Sequence, residues 1–157
     1  MRKRLIAASP TALPVDRTWL DVDRVAVVEL TSEDGAHPIE SALRPGEKRG
    51  WRAAGPGAQT IRLLFDNPQQ LRRIWLSFEE SEIKRTQEFV LRWSPDAGGS
   101  FREIVRQQWN FSPPETVREI EDYAVDLSGV TVLELNIVPD TSGGGARASL
   151  LGLRLGA

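Results

Sequence analysis

Between Arg85 and Trp109 two runs of alternating character flank the turn Pro95-Asp96-Ala97-Gly98-Gly99-Ser100, and alternation of this kind, recurring along the chain with no helical crossover between the runs, most restricts the fold. Phe89, Leu91 and Trp93 alternate with Glu88, Val90 and Arg92, the period of a strand that buries one face. Gly98 and Gly99 can take positive φ at no steric cost, so the segment reads as a β-hairpin. The same period puts Ile61, Leu63 and Phe65 on one face of Gln59 to Asp66. It turns Ile74, Leu76 and Phe78 inward and Arg73, Trp75 and Ser77 outward over Leu71 to Glu79. Thr116 to Leu127 alternates through Tyr123, Val125 and Leu127, and Val130 to Val138 directs Leu133, Leu135 and Ile137 inward.

Turn signals at Asn67-Pro68-Gln69 and Ser128-Gly129 predict reversals between these runs. Val25 to Leu30 is β-branched and reads as a strand, as does the final run through Leu151, Leu153 and Leu155. Residues 3–8 read as an edge strand stopped by Pro10 and Pro14. One helical turn is expected over His37 to Leu43, opened by Pro38 and closed by Pro45-Gly46, with Gly50 to Gly57 as a loop. Roughly eight or nine strands at spacings near ten residues make an all-β, antiparallel β-sandwich or jelly roll. At 157 residues it is expected to form a single domain over 1–157, with residues 1–24 as a strand and lead-in packed on it. An α/β fold would need helical crossovers, and none of the loops contains one.

Chemistry is restricted by what the chain lacks. There is no cysteine and one histidine, His37, so Cys nucleophiles, Cys-based zinc sites and multi-His metal centres are excluded, and a Ser-His-Asp triad would rest on that one imidazole. A non-enzymatic role is expected. The net charge of −2 supplies no general attraction to phosphate backbones, so nucleic acid is not an expected partner. The basic start Met1-Arg2-Lys3-Arg4 precedes an apolar run too short for a signal peptide, and no run approaches the roughly 20 apolar residues of a membrane span. A cytoplasmic location is the expectation.

Antiparallel order sorts the connections between the two ends of a sandwich. The tight turns at 67–69, 95–100 and 128–129 fall at one end, and the longer segments 51–58, 80–85, 110–114 and 139–146 at the other. Long loops on a rigid frame are where binding sites are placed. The candidate ligand-binding residues at that end are Trp51, Arg52, Glu80, Arg85, Trp109 and Asn110. Aromatic faces beside bidentate polar groups suit a sugar, and the same set suits a protein partner, since Trp and Arg dominate interface hot spots. Competing structural roles are open for each: Trp51 as a core plug, Arg85 as the partner of Glu80 or Glu82, Trp109 as core, Asn110 as a turn former. Trp75 is either a ligand platform or covered by the Leu5-Ile6 strand or a loop. Glu119 and Glu121 share one strand face, read as solvated.

The order of short motifs resembles the galactose-binding-like, or discoidin and coagulation-factor C-type, jelly rolls over about residues 25–156. The matching stretches are Ser41-Ala42, Trp51 ahead of a strand, Gln59 to Phe65 followed by a tight turn, Ile74-Trp75-Leu76, Phe89 to Asp96, Phe101 to Ile104 and the closing Ala148 to Leu155. The resemblance implies binding of sugars, phospholipid head groups or proteins through loops at one end, and often a structural calcium ion. Where the family has Ala-x-Asp-Gly this chain has Ala42-Leu43-Arg44-Pro45-Gly46 and lacks the acidic ligand. Glu40 and backbone carbonyls from Pro38 to Ser41 are the remaining donors for calcium.

Overall fold

Two long strands organise the computed structural model, which describes residues 19–157. The strand expected over residues 3–8 lies outside them. In chain order the elements are α1 (Val22–Val25), β1 (Ala26–Leu30), α2 (Glu40–Leu43), β2 (Trp51–Pro56), β3 (Gln59–Glu79), β4 (Arg85–Ser94), β5 (Arg102–Phe111), β6 (Arg118–Val138), β7 (Arg147–Leu150) and β8 (Gly152–Gly156). β3 and β6 pair antiparallel along their whole length, from Gln59 opposite Ile137 to Glu79 opposite Arg118.

The expected reversals at 67–69 and 128–129 are therefore not hairpins. They are corners in a continuous two-stranded ribbon, where the register slips between Leu64 and Arg73. Pro68 cannot donate to a ladder, and Gly129 stands at φ 74, so regular pairing fails at this point on both strands and the ribbon bends. On one side of the corner β1, β3, β6, β4 and β5 lie in that order. On the other, β8 pairs with β3 from Arg73 to Ser77, next to the Arg118 to Leu127 half of β6. The two halves face each other across the core: the Phe78 ring stacks on Phe89 at 5.2 Å, and Ile74, Leu76, Leu91, Leu133 and Leu135 are buried between them. The bend does the work of a reversal, since it carries each strand of the ribbon from one half of the sandwich to the other. This is the antiparallel β-sandwich the alternation predicts.

The expected loop at 50–57 is strand β2, paired with β7 through Trp51 opposite Leu150 and Arg52 opposite Ser149. Gly50 permits the approach, because its φ is 69 and a Cβ there would meet the Leu150 carbonyl oxygen at 2.7 Å. The final strand is broken at Leu151 into β7 and β8. The reading of Glu119 as solvated is also overturned. Glu119 is fully buried on the inner face of β6, where its Oε1 accepts from Gln87 Nε2 at 3.0 Å. Polar strand residues at the mouth of a sandwich can face inward when a partner on the opposite sheet satisfies them.

Candidate functional site

Alternation along β3 places Trp75, Ser77 and Glu79 on the outer face of the smaller half, away from Ile74, Leu76 and Phe78. Arg154 lies directly opposite Trp75 on β8 and shares that face. The segment carrying α2 lies over it: Arg154 donates through Nη1 to the Ala42 carbonyl at 2.8 Å and through Nη2 to the Arg44 carbonyl at 3.0 Å. Trp75 is accordingly only 5% exposed, so of the two readings the covering by a loop holds, although one edge of the residue still meets a cavity.

That cavity has a volume of about 560 Å³ and opens between residues 47–52, β7, the outer row of β3 and the Glu80 to Glu82 turn. It gathers Trp51, Arg52 and Glu80 from the predicted set. Trp51 is 1% exposed, and its Nε1 donates to the Ser32 carbonyl at 3.0 Å, so the indole forms part of the wall rather than a stacking platform. Arg52 is exposed, and its guanidinium has no hydrogen bond or ion pair among the described residues. Glu80 anchors its own turn: Oε2 accepts from the Glu82 and Ile83 backbone N–H groups at 3.1 and 3.3 Å.

Arg85 is buried behind Glu80. Its Nε donates to Glu80 Oε1 at 2.7 Å, and its Nη1 donates to the Pro139 carbonyl at 2.7 Å and to Gln87 Oε1 at 3.2 Å. Its guanidinium also lies over the Phe111 ring at 4.7 Å. One arginine thus joins the 80–84 turn, the start of the 139–146 loop and the end of β5. Burial pushes the Glu80 carboxyl up, but the Arg85 hydrogen bond and the two backbone N–H donors outweigh it, and the group ends below the usual carboxylate range.

Trp109 and Asn110 are not in the cavity. Trp109 faces inward opposite Gln87 and packs at the core margin, while Asn110 faces outward and accepts from Thr86 Oγ1 at 2.7 Å. The two instead border a separate, shallower cavity with Gln108 and Thr116, apart from the one that gathers Trp51, Arg52 and Glu80. Lys48, Arg49, Arg118 and Arg154 were missing from the predicted set. The outward row Trp75-x-Ser77-x-Glu79 was the available signal for that wall, whereas nothing local to residues 48, 49, 118 or 154 indicates that they converge on it.

A calcium ion at the α2 segment does not fit the residues present. Among the described residues no three His, Cys, Asp or Glu side chains group as metal ligands, and Glu40 is exposed. The carbonyls of Pro38, Ile39 and Glu40 already accept backbone N–H groups, and those of Ala42 and Arg44 accept from Arg154. The guanidinium ties the α2 segment to β8 without a metal. Treatment with EDTA is expected to leave the thermal melting curve unchanged. Arg154→Met is expected to cost about 2–3 kcal/mol in urea denaturation, because three carbonyls, those of Ala42, Arg44 and Leu153, lose a charged donor.

No family model matches the chain, and no curated protein matches it. Solved structures do match. A CBM32 module of Clostridium perfringens in complex with GalNAc-β-1,3-galactose superposes with a TM-score of 0.65 at 19% identity, covering 88% of this chain and 99% of that one. The family 32 module of C. perfringens NanJ in complex with galactose gives 0.64 at 14% identity, over 88% and 97%. Reduced XRCC1 bound to the DNA polymerase β catalytic domain gives 0.61 at 15% identity, over 85% and 95%. The shared property is the fold, the galactose-binding-like sandwich that the order of motifs resembles.

Proposed function

We propose that this chain is a non-catalytic carbohydrate-binding module whose ligand occupies the cavity between the 47–52 segment and the Glu80 to Glu82 turn. The observation that carries the reading is that cavity itself. It is concave, of a size for one or two sugar rings, and lined by Arg52, Lys48, Glu80, Ser77 and Ser149 beside the edge of Trp75. Hydroxyl groups of a saccharide need such a mixture of donors and acceptors in fixed positions. The fold is one on which the NanJ module holds galactose. The contacts are mainly polar, because both indoles in the walls are nearly buried.

The carboxylates of the cavity argue against glycoside hydrolysis. A glycosidase keeps one carboxyl protonated as general acid. Here Glu80 is held ionised by Arg85 and backbone donors, and Glu79 lies 3.0 Å from Arg118. Among the described residues the one carboxyl pushed strongly upward, Glu119, is inside the sandwich rather than on the cavity.

A glycan array followed by titration calorimetry of the best ligand tests the reading. Arg52→Ala is expected to weaken binding about tenfold, the worth of one charge-assisted hydrogen bond, while Asn110→Ala leaves it unchanged. The reverse pattern, or no glycan bound, would reject the site.

A further inference from the structure

We infer that the ligand of this cavity is an acidic saccharide, carrying a carboxylate or a sulfate ester that is met by Lys48, Arg49 and Arg52 beside the buried guanidinium of Arg154. The inference rests on the carbohydrate-binding reading and narrows its ligand class.

The chain as a whole is slightly acidic, with a net charge of −2, yet this cavity collects cations. Lys48, Arg49, Arg52, Arg118, Arg147 and Arg154 line it, against Glu47, Glu79, Glu80 and Glu82. Two of those carboxylates are already engaged. Glu79 is paired with Arg118 at 3.0 Å, and Glu80 with Arg85 at 2.7 Å, a residue buried behind the wall. Arg147 reaches Asp34 only at 3.9 Å. Lys48, Arg49 and Arg52 are exposed and have no ion pair among the described residues.

Arg154 adds an independent observation. It is 6% exposed, and among the described residues its hydrogen bonds go to backbone carbonyls and none to a carboxylate, and its Nε is buried without a partner. Trp75, opposite it in the register, is 5% exposed with its Nε1 also buried and unpartnered. Carbonyl dipoles satisfy part of the guanidinium but do not cancel its charge, and a desolvated cation without a counter-ion is costly. Burial alone pulls the Arg154 guanidinium below its usual range, as expected for a charge without an anionic neighbour. A neutral sugar would dehydrate these cations and return only hydroxyl contacts. An anionic one supplies counter-charge near the buried guanidinium and acceptors for the exposed N–H groups of Lys48, Arg49 and Arg52.

Titration calorimetry with three trimers at low and high salt decides the matter: a galacturonate trimer, a sulfated galactose trimer and neutral galactotriose. At least one acidic trimer is expected to bind roughly tenfold or more tightly than the neutral one, with the advantage shrinking at high salt. The two acidic arms separate carboxylate from sulfate. A Lys48→Gln, Arg49→Gln double variant is expected to weaken the acidic trimers far more than the neutral one and so erase the advantage; both positions are exposed, so the fold is not at stake. Neutral galactotriose binding as tightly as both acidic trimers overturns the inference and leaves the carbohydrate-binding reading standing. No binding of any trimer, together with a blank glycan array, overturns both.

Discussion

Arg85→Ala will lower the unfolding free energy by about 4 kcal/mol, because breaking one side of a buried ion pair leaves the other charge and its neighbours unsatisfied. The guanidinium is fully enclosed and serves three segments: Glu80 on the turn after β3, Gln87 on its own strand, and the Pro139 carbonyl at the end of β6. Alanine removes all three hydrogen bonds and the contact with the Phe111 ring at 4.7 Å. Arg85→Lys will recover only part of the loss, since an ammonium cannot reproduce the planar fork that reaches Glu80 and Pro139 together. Urea denaturation measures the effect. Hydrogen exchange locates it, because the Glu82 and Ile83 amides lose protection once Glu80 is released. A loss below about 1 kcal/mol would show that the network contributes little beyond packing. Since Glu80 forms one wall of the cavity, ligand affinity should fall in the same variant.

The second large effect is on pH. Burial first, then the hydrogen bond and repulsion with Glu121, push the Glu119 carboxyl up from 4.5 to about 8, against the opposing pull of Gln87 and Arg85. Glu121 in turn accepts from the Tyr123 hydroxyl at 3.2 Å, and the same burial and acidic neighbours raise that phenol well above its usual range. The unfolded chain releases the Glu119 proton near pH 4.5, whereas the folded chain keeps it until about pH 8. Between these values the native state binds more protons than the unfolded state, so stability falls as pH rises across that window. A loss of about 3 kcal/mol is expected, within the upper limit set by the full shift at 1.36 kcal/mol per pH unit. Glu119→Gln keeps an acceptor for Gln87 and removes the titration. It should therefore flatten the profile and leave the variant more stable than the parent at pH 8. Equal slopes for the two proteins in urea melts at pH 5, 6.5 and 8 would exclude Glu119 as the cause.

Both effects arise in a polar network that the sequence shows only in pieces. Arg85 and Glu80 are close enough in the chain for their pairing to be anticipated, and it is observed. Glu119 opposite Gln87 was not anticipated, because a Glu at every second position of a strand looks the same whether its face is solvated or turned into the end of a sandwich. Trp109 and Asn110 were grouped with the site by their place at a strand end, and the alternation of β5 divides them between two faces.

What the sequence determined by itself was the class of fold and which faces of its strands are buried. Period-2 alternation is local: Ile74, Leu76 and Phe78 must share a face whatever the strand pairs with, and a chain without helical crossovers must pair antiparallel. The tertiary structure decided the rest. It made corners of the expected turns at 67–69 and 128–129, because whether an interruption closes a hairpin or bends a ribbon depends on the partner strand. It also brought Arg154 to the Ala42 carbonyl, 112 positions away, and set Lys48, Arg49 and Arg52 on the same cavity. Charges meet there through register and sheet curvature, which arise from long-range pairing, and no local pattern in the chain encodes which of them end without a counter-ion.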